Sequence, residues 1–196
     1  MDNRQKKRDM ILDSALKNIS KHGIRKITLD DISKDIGMKS TALYHYFKSK
    51  DEMLLALIDR TLNEMSEGEK KIFQQEKPIH LRFLEIIDYH EQVRDNIGIL
   101  YTNFLDDLLS TAPLFRERIT KFVHSSIQMY SEAFSEAFKD QPKMVLNPAA
   151  FSTIFVFGQF LPHMNFFLNL NTPQIICSQE ALIAEFRNLI IRSFAE

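Results

Sequence analysis

Between residues 39 and 50 the chain gathers side chains suited to holding a polyanion rather than to making or breaking bonds. Lys39, Ser40 and Thr41 are followed by Tyr44, His45 and Tyr46, and Lys50 stands four residues further on. Hydroxyls and free N–H groups at a helix start donate to phosphate oxygens. The phenols of Tyr44 and Tyr46 suit packing on sugars or thymine methyls, and Lys39 and His45 have the reach to address base edges in a major groove. Lys50 adds positive charge beside the start of the next helix. Nothing has the spacing of a nucleophile elbow, a phosphate-cradling loop or a working carboxylate pair, so no enzyme and no catalytic residue is expected. No cofactor or metal site is expected either. His90 and Glu91, with Asp88 nearby, do not share one helix face, and a single cysteine, Cys177, excludes a thiolate cluster and an intrachain disulfide.

Local signals supply a scaffold for these side chains. Ile11, Leu12, Ala15, Leu16 and Ile19 recur at helical spacing and predict a first helix from about Arg4 to Lys21, closed by Gly23. Thr28 and Asp31 make a capping box for a second helix with Leu29, Ile32 and Ile36 inside, stopped by Gly37. Ser40 or Thr41 caps a third short helix ending near Phe47, with Leu43 and Phe47 turned inward. Ser49 and Glu52 start a fourth, whose stripe of Met53, Leu54, Leu57, Ile58, Leu62 and Met65 carries it to about Gln74. Further helical patterns cover roughly 79–94, 97–109, 113–139, 148–170 and 179–194, and Pro162 predicts a kink or break. Only 5 Gly and 6 Pro interrupt 196 residues. The expected fold is therefore all-α, with a three-helix helix-turn-helix head over residues 1–50 and a larger helical body over 51–196.

Charge divides along the same line. Residues 1–50 hold 12 Lys and Arg against 6 Asp and Glu, a net of +6; residues 51–196 hold 13 against 20, a net of −7. A basic head on an acidic body implies a polyanion partner for the head alone. The polar N-terminus lacks the apolar stretch of a signal peptide, and a cytoplasmic location is expected. Ala149 to Leu170 holds six Phe but is interrupted by Gln159, Pro162, His163, Asn165 and Asn169, so a core or interface helix is expected there and no membrane contact.

The run Thr28-Leu29-Asp30-Asp31-Ile32-Ser33-Lys34-Asp35-Ile36-Gly37, then Ser40-Thr41-Ala42-Leu43-Tyr44-His45-Tyr46-Phe47-Lys48-Ser49-Lys50-Asp51-Glu52-Met53-Leu54, resembles the DNA-binding head of the tetracycline-repressor-like (TetR) family. The likeness extends from about Arg8 to Ile58. It implies phosphate contacts by Thr28 and Lys50, and an operator surface of Lys39, Ser40, Thr41, Tyr44, His45 and Tyr46. The family position of His45 is often aromatic and that of Tyr46 often His, so the pair stands transposed here. Arg4, Lys6, Lys7 and Arg8 are candidates for an arm along the backbone or minor groove. Beyond the head the likeness rests on length and helical layout.

The resemblance further implies a homodimer on double-stranded DNA with an inverted-repeat operator, released by a small-molecule effector, most simply as a repressor. An activator of the same fold is the first alternative, and an enzyme or a protein-interaction module the remoter ones. Dimerisation is assigned to the two last long helices, where Phe151, Phe155, Leu161, Leu182, Phe186, Leu189 and Ile190 offer more apolar surface than one small body should need. Candidates for an effector pocket are polar residues set in apolar helices: His90, Tyr101, Asn103, His124, Gln128, Tyr130, Gln159 and His163. Phe104, Phe122, Met129 and Phe160 would complete an apolar lining, which favours an apolar or aromatic compound. Effector binding is expected to tilt the fourth helix and alter the separation of the two heads.

Overall fold

Two glycines set the early course of the chain. Gly23 and Gly37 take the left-handed backbone, with φ of 78° and 65°, a region that costs residues with a Cβ. Gly23 N–H donates to the Ile19 carbonyl at 2.8 Å and so closes α1 (Asn3–His22). At the second, Gly37 N–H donates to Lys34 and Met38 N–H to Ser33, at 3.1 and 2.8 Å, which ends α2 (Leu29–Asp35) and turns the chain into α3 (Ser40–Leu43). There follow α4 (Lys50–Phe73), α5 (Ile79–Ile97), α6 (Pro113–Ala137), α7 (Pro148–Phe160) and α8 (Gln179–Ser193). The structure, a computed structural model, describes residues 3–97, 113–139, 147–160 and 179–193, and among them there is no strand. Pro162 and the stretch expected to be helical over 97–109 lie almost wholly outside the described residues.

The chain divides into two compact units. One comprises Met1–Glu64 with Arg94–Arg118, the other Met65–Val93 with Ile119–Glu196. α4 runs through both. The first unit packs Ile11, Leu12, Ala15 and Ile19 of α1 with Leu29 and Ile32 of α2, Leu43, Phe47, and Met53, Leu54, Leu57 and Ile58 of α4. That is the stripe the spacing predicts. Its helices are also tied by polar contacts: Ser14 donates to Asp35 at 2.7 Å, and Arg60 pairs with Asp13 at 2.8 Å.

The second unit is aromatic. Phe83, fully buried, meets Phe73, Phe151 and Phe155 edge-on at centroid distances of 5.4, 5.4 and 4.7 Å. Phe134 stacks on Phe151 at 4.6 Å. Such edge and offset geometries suit the ring quadrupoles. Two glycines allow close helix approach here. A Cβ on Gly68 of α4 would lie 2.2 Å from the Tyr89 ring, and one on Gly158 of α7 would lie 2.5 Å from Phe186. Asn147 caps α7, its Oδ1 accepting from the N–H groups of Ala149 and Ala150.

Candidate nucleic-acid interface and a buried polar site

The turn between α2 and α4 carries the polar surface. Lys39 is the N-cap of α3 and makes no side-chain cap, so its ammonium is left to solvent. α3 is shorter than the sequence suggests. After Leu43 the bonds tighten from i−4 to i−3, His45 N–H donating to Ala42 and Tyr46 N–H to Leu43. Leu43 and Phe47 are buried, and this tight turn swings Tyr44 and His45 outward; Tyr44 is 47% exposed. Thr41 is exposed, while Ser40 is half-buried with its hydroxyl 3.1 Å from that of Ser33, joining α2 to α3. Asn3, Arg4 and Lys7 of α1 line an open hollow of about 600 Å³ with Ala42, His45 and Tyr46.

Three of the expected contacts turn out to be committed within the chain. Thr28 caps α2: its hydroxyl donates to Asp31 Oδ2 at 2.6 Å and accepts from Asp31 N–H at 3.1 Å, and its own N–H also goes to Asp31. Both Thr28 donors are thus spent on Asp31, and these bonds hold the Asp31 carboxyl below the usual carboxylate range. Lys50 Nζ donates to the Arg25 carbonyl at 3.3 Å, tying α4 to the loop before α2. Arg8 is not part of an arm, because α1 already begins at Asn3. Its guanidinium donates to the Tyr46 carbonyl at 2.8 Å and lies 4.3 Å from the centroid of the Phe47 ring. Sequence spacing misses this role, since 38 residues separate the partners.

In the second unit the chain buries a carboxylate. Glu69 of α4 is 1% exposed, and Glu69 Oε1 lies 2.7 Å from His90 Nε2 of α5. Its other oxygen accepts from Ser126 Oγ of α6 at 3.0 Å. Tyr130, one turn beyond Ser126 and fully buried, has a hydroxyl near Glu69, Ser126 and Gln159 that meets none at hydrogen-bonding geometry. Burial, and then the Glu69 charge, push that phenol well above its ordinary range, so it stays protonated. The buried Gln159 Oε1 and Ser152 Oγ of α7 also lack partners.

The expected pocket residues therefore separate. His90, Tyr130 and Gln159 come together around Glu69, which the sequence reading passed over. Glu69 lies in the polar run Glu67-Gly68-Glu69-Lys70-Lys71, but four residues after Met65 and three before Ile72 it falls on the apolar stripe of α4, and that was the available signal. His124 and Gln128 are exposed on α6, away from Glu69's partners, and Gln128 bonds Glu132 at 2.9 Å. Met129 is half-buried against the aromatic core, and Phe122 is half-buried. Tyr101, Asn103, Phe104, Leu161 and His163 lie outside the described residues, as does the Phe160 side chain.

The expected dimer residues separate too. Phe155 and Ile190, at 1% and 3% exposure, are core residues of their own chain, where Phe155 fills the space against Phe83. Phe151 and Phe186 pack partly against that core, and Leu182 is half-buried. Leu189 is exposed, together with Ile154, Phe157 and Ile191, which the sequence reading did not single out. Among the described residues no helix is long and apolar enough to cross a membrane, and no three His, Cys, Asp or Glu side chains are grouped to hold a metal.

A helix-turn-helix of this form defines a class of DNA-binding protein, and comparison places it. Residues 11–57 match the family of bacterial regulatory proteins, tetR family. The HTH-type transcriptional regulator BetI of Agrobacterium fabrum is 34% identical over 59 residues, covering 30% of this chain and 29% of that protein. The nucleoid occlusion factor SlmA of Glaesserella parasuis is 27% identical over 152 residues, 72% of either chain. In three dimensions the chain is similar to the transcriptional regulator FadR from Bacillus subtilis, in complex with stearoyl-CoA, with a TM-score of 0.71 at 16% identity over 95% of this chain and 98% of that one. Over its helix-turn-helix head, residues 11–57, the chain is similar to the tetR family.

Proposed function

We propose that the chain is an effector-responsive transcriptional regulator that binds an inverted-repeat operator as a homodimer. The observation that carries this reading is the surface of Lys39, Thr41, Tyr44 and His45, turned outward beside the half-buried Tyr46 on a head whose net charge is +6. Ser40, Thr28 and Lys50 flank it, and they reach phosphates only by exchanging the partners they hold. Repression is the direction the family resemblance favours, with activation the alternative. The exposed apolar residues Ile154, Phe157 and Leu189 of α7 and α8 support a second copy of the chain as the partner of the body. Coupling runs along α4, which carries head core residues near its start and Glu69 near its end. An effector that distinguishes two positions of that helix shifts operator affinity about 5- to 150-fold, a coupling of roughly 1–3 kcal/mol.

Selection from random duplex DNA tests this, with Tyr44→Ala run in parallel. An inverted repeat is expected to emerge with the native chain and to be lost with the variant. Affinity for it should fall by about 10³–10⁵ between 50 and 200 mM salt if some six to ten phosphates are neutralised. No enriched sequence at low salt would sink the reading.

A further inference from the structure

We infer that the start of α1 seats a backbone phosphate of the same duplex that the recognition turn meets, with Arg4 and Lys7 as the cations that hold it. The inference deepens the duplex-binding reading of the head and rests on it. All the residues concerned belong to one compact unit.

The resemblance gives the phosphate contacts to Thr28 and Lys50, and both are engaged elsewhere, on Asp31 and on the Arg25 carbonyl. A docked duplex still needs donors and cations along its backbone. The chain carries them at the other edge of the turn. Arg4, Lys6, Lys7 and Arg8 crowd the first two turns of α1, and its first turn holds no acidic side chain. Like charges three and four residues apart repel, and the helix dipole already makes that end positive. Their grouping costs helix stability, and an anion from outside relieves it. Helical spacing then sorts the four. Arg4, Lys7 and Arg8 share one side of the helix, and Lys6 lies off it.

Arg8 fixes where that side faces. Its guanidinium donates to the Tyr46 carbonyl at 2.8 Å and lies over the Phe47 ring, which pins the start of α1 to the recognition turn. Arg4 and Lys7, both exposed, line the open hollow with Asn3, Ala42, His45 and Tyr46. These six residues include two full cations and no carboxylate, so the hollow attracts an anion. His45 belongs to the outward surface of the turn as well, which makes the hollow continuous with that surface. The helix decides which part of the duplex it meets. An α-helix with its side chains is about 10–12 Å across and the minor groove about 6 Å wide, so α1 cannot enter that groove as an extended arm would. Its cations reach the phosphates at the groove edge, which carry no sequence information.

Duplex binding by the full-length protein at several salt concentrations tests this, on the selected operator and on a duplex of arbitrary sequence. Arg4→Gln and Lys7→Gln are each expected to weaken both duplexes by the same factor, about three- to tenfold, and to reduce the slope of log affinity against log salt by about one. The Tm should hold or rise slightly, since glutamine suits a helix and a cation leaves its positive end. On the operator, replacing phosphates one at a time by methylphosphonates should reveal one position per half-site that matters to the native chain and no longer to the double variant. The inference is overturned if Lys6→Gln matches Lys7→Gln in both affinity and slope, since the charge then acts diffusely. It is equally overturned if Lys7→Gln keeps the native slope, or if the loss depends on base sequence as for a minor-groove arm. An operator that emerges while the variants keep the native slope sinks the phosphate seat alone. Slopes that differ on the arbitrary duplex, with no sequence enriched, sink the operator reading alone.

Discussion

In the head, the polar side chains that go inside are met by neighbours. Ser14 donates to Asp35, and Ser33 donates to the Asp30 carbonyl and touches Ser40. Around them the core is aliphatic except for Phe47 and Met53. In the body, rings replace aliphatic side chains, and all four of the buried unpaired polar atoms among the described residues are found there, on Arg82, Tyr130, Ser152 and Gln159. The difference separates two tasks. On the proposed function, a surface that docks on a duplex must keep one shape, and the head satisfies its buried polar groups internally. On the same proposed function, a body that receives a small molecule can hold polar capacity in reserve, at a cost of roughly 1–3 kcal/mol for each unmet buried group.

The strongest way to break this contrast is through the apolar surface of the body. Phe157→Glu puts a charge on a face assigned to a second copy of the chain. Sedimentation should show a monomer, and operator affinity should drop by about 100-fold or more as the two heads lose their linkage. A dimer that persists would place the partner surface elsewhere.

Phe47→Ala should cost the head about 3–5 kcal/mol, as for other buried rings. Since Phe47 lies in one compact unit and the aromatic cluster in the other, the expected melting curve gains an early phase while the signal of the body keeps its midpoint. A single, uniformly lowered transition would mean that the two units do not unfold separately.

Arg8 is a positioning residue for the recognition turn. Arg8→Ala removes a bond to a carbonyl and a ring contact together worth about 1–2 kcal/mol, so operator affinity should fall roughly 5- to 30-fold. Arg8→Lys should recover only part of this, because an ammonium lacks the planar fork. Full rescue by lysine would reduce the role to charge alone.

The smallest effect concerns the capping box. Hydrogen bonds from Thr28 depress the Asp31 carboxyl in the folded state. A depressed acid adds stability that is present above the unfolded value and lost as pH falls through the folded one. Thr28→Val should therefore raise the Asp31 value toward the ordinary range in an NMR titration and flatten the acid limb of the head's stability curve. An unchanged titration would mean that the bond is absent in solution.

Much of the head was legible because its signals are local. Glycine after a helix, Thr28 with Asp31, Ser49 with Glu52 and the spacing of Leu43 and Phe47 each act over four residues or fewer, and the structure keeps every one. The body was legible only as helices. Periodicity assigns Phe155, Leu189 and Ile190 to apolar positions, but a face is defined relative to its own helix axis, and nothing local says whether another helix of the chain covers it. Hence Phe155 and Ile190 were expected outside and lie inside, whereas Ile154 and Phe157 went unnoticed.

The sequence by itself determined that the chain is helical, where the head's helices begin and end, and that the turn between them is basic and rich in hydroxyls, since propensity, capping and charge are properties of neighbouring residues. Tertiary structure decided which side chains those groups still had free. It spent Thr28 and Lys50 on contacts within the chain, drew Arg8 onto a turn 38 residues away, and gathered Glu69, His90 and Tyr130 from three helices. A polar group's role depends on whether a partner is within about 3 Å, and that is settled only when distant segments pack.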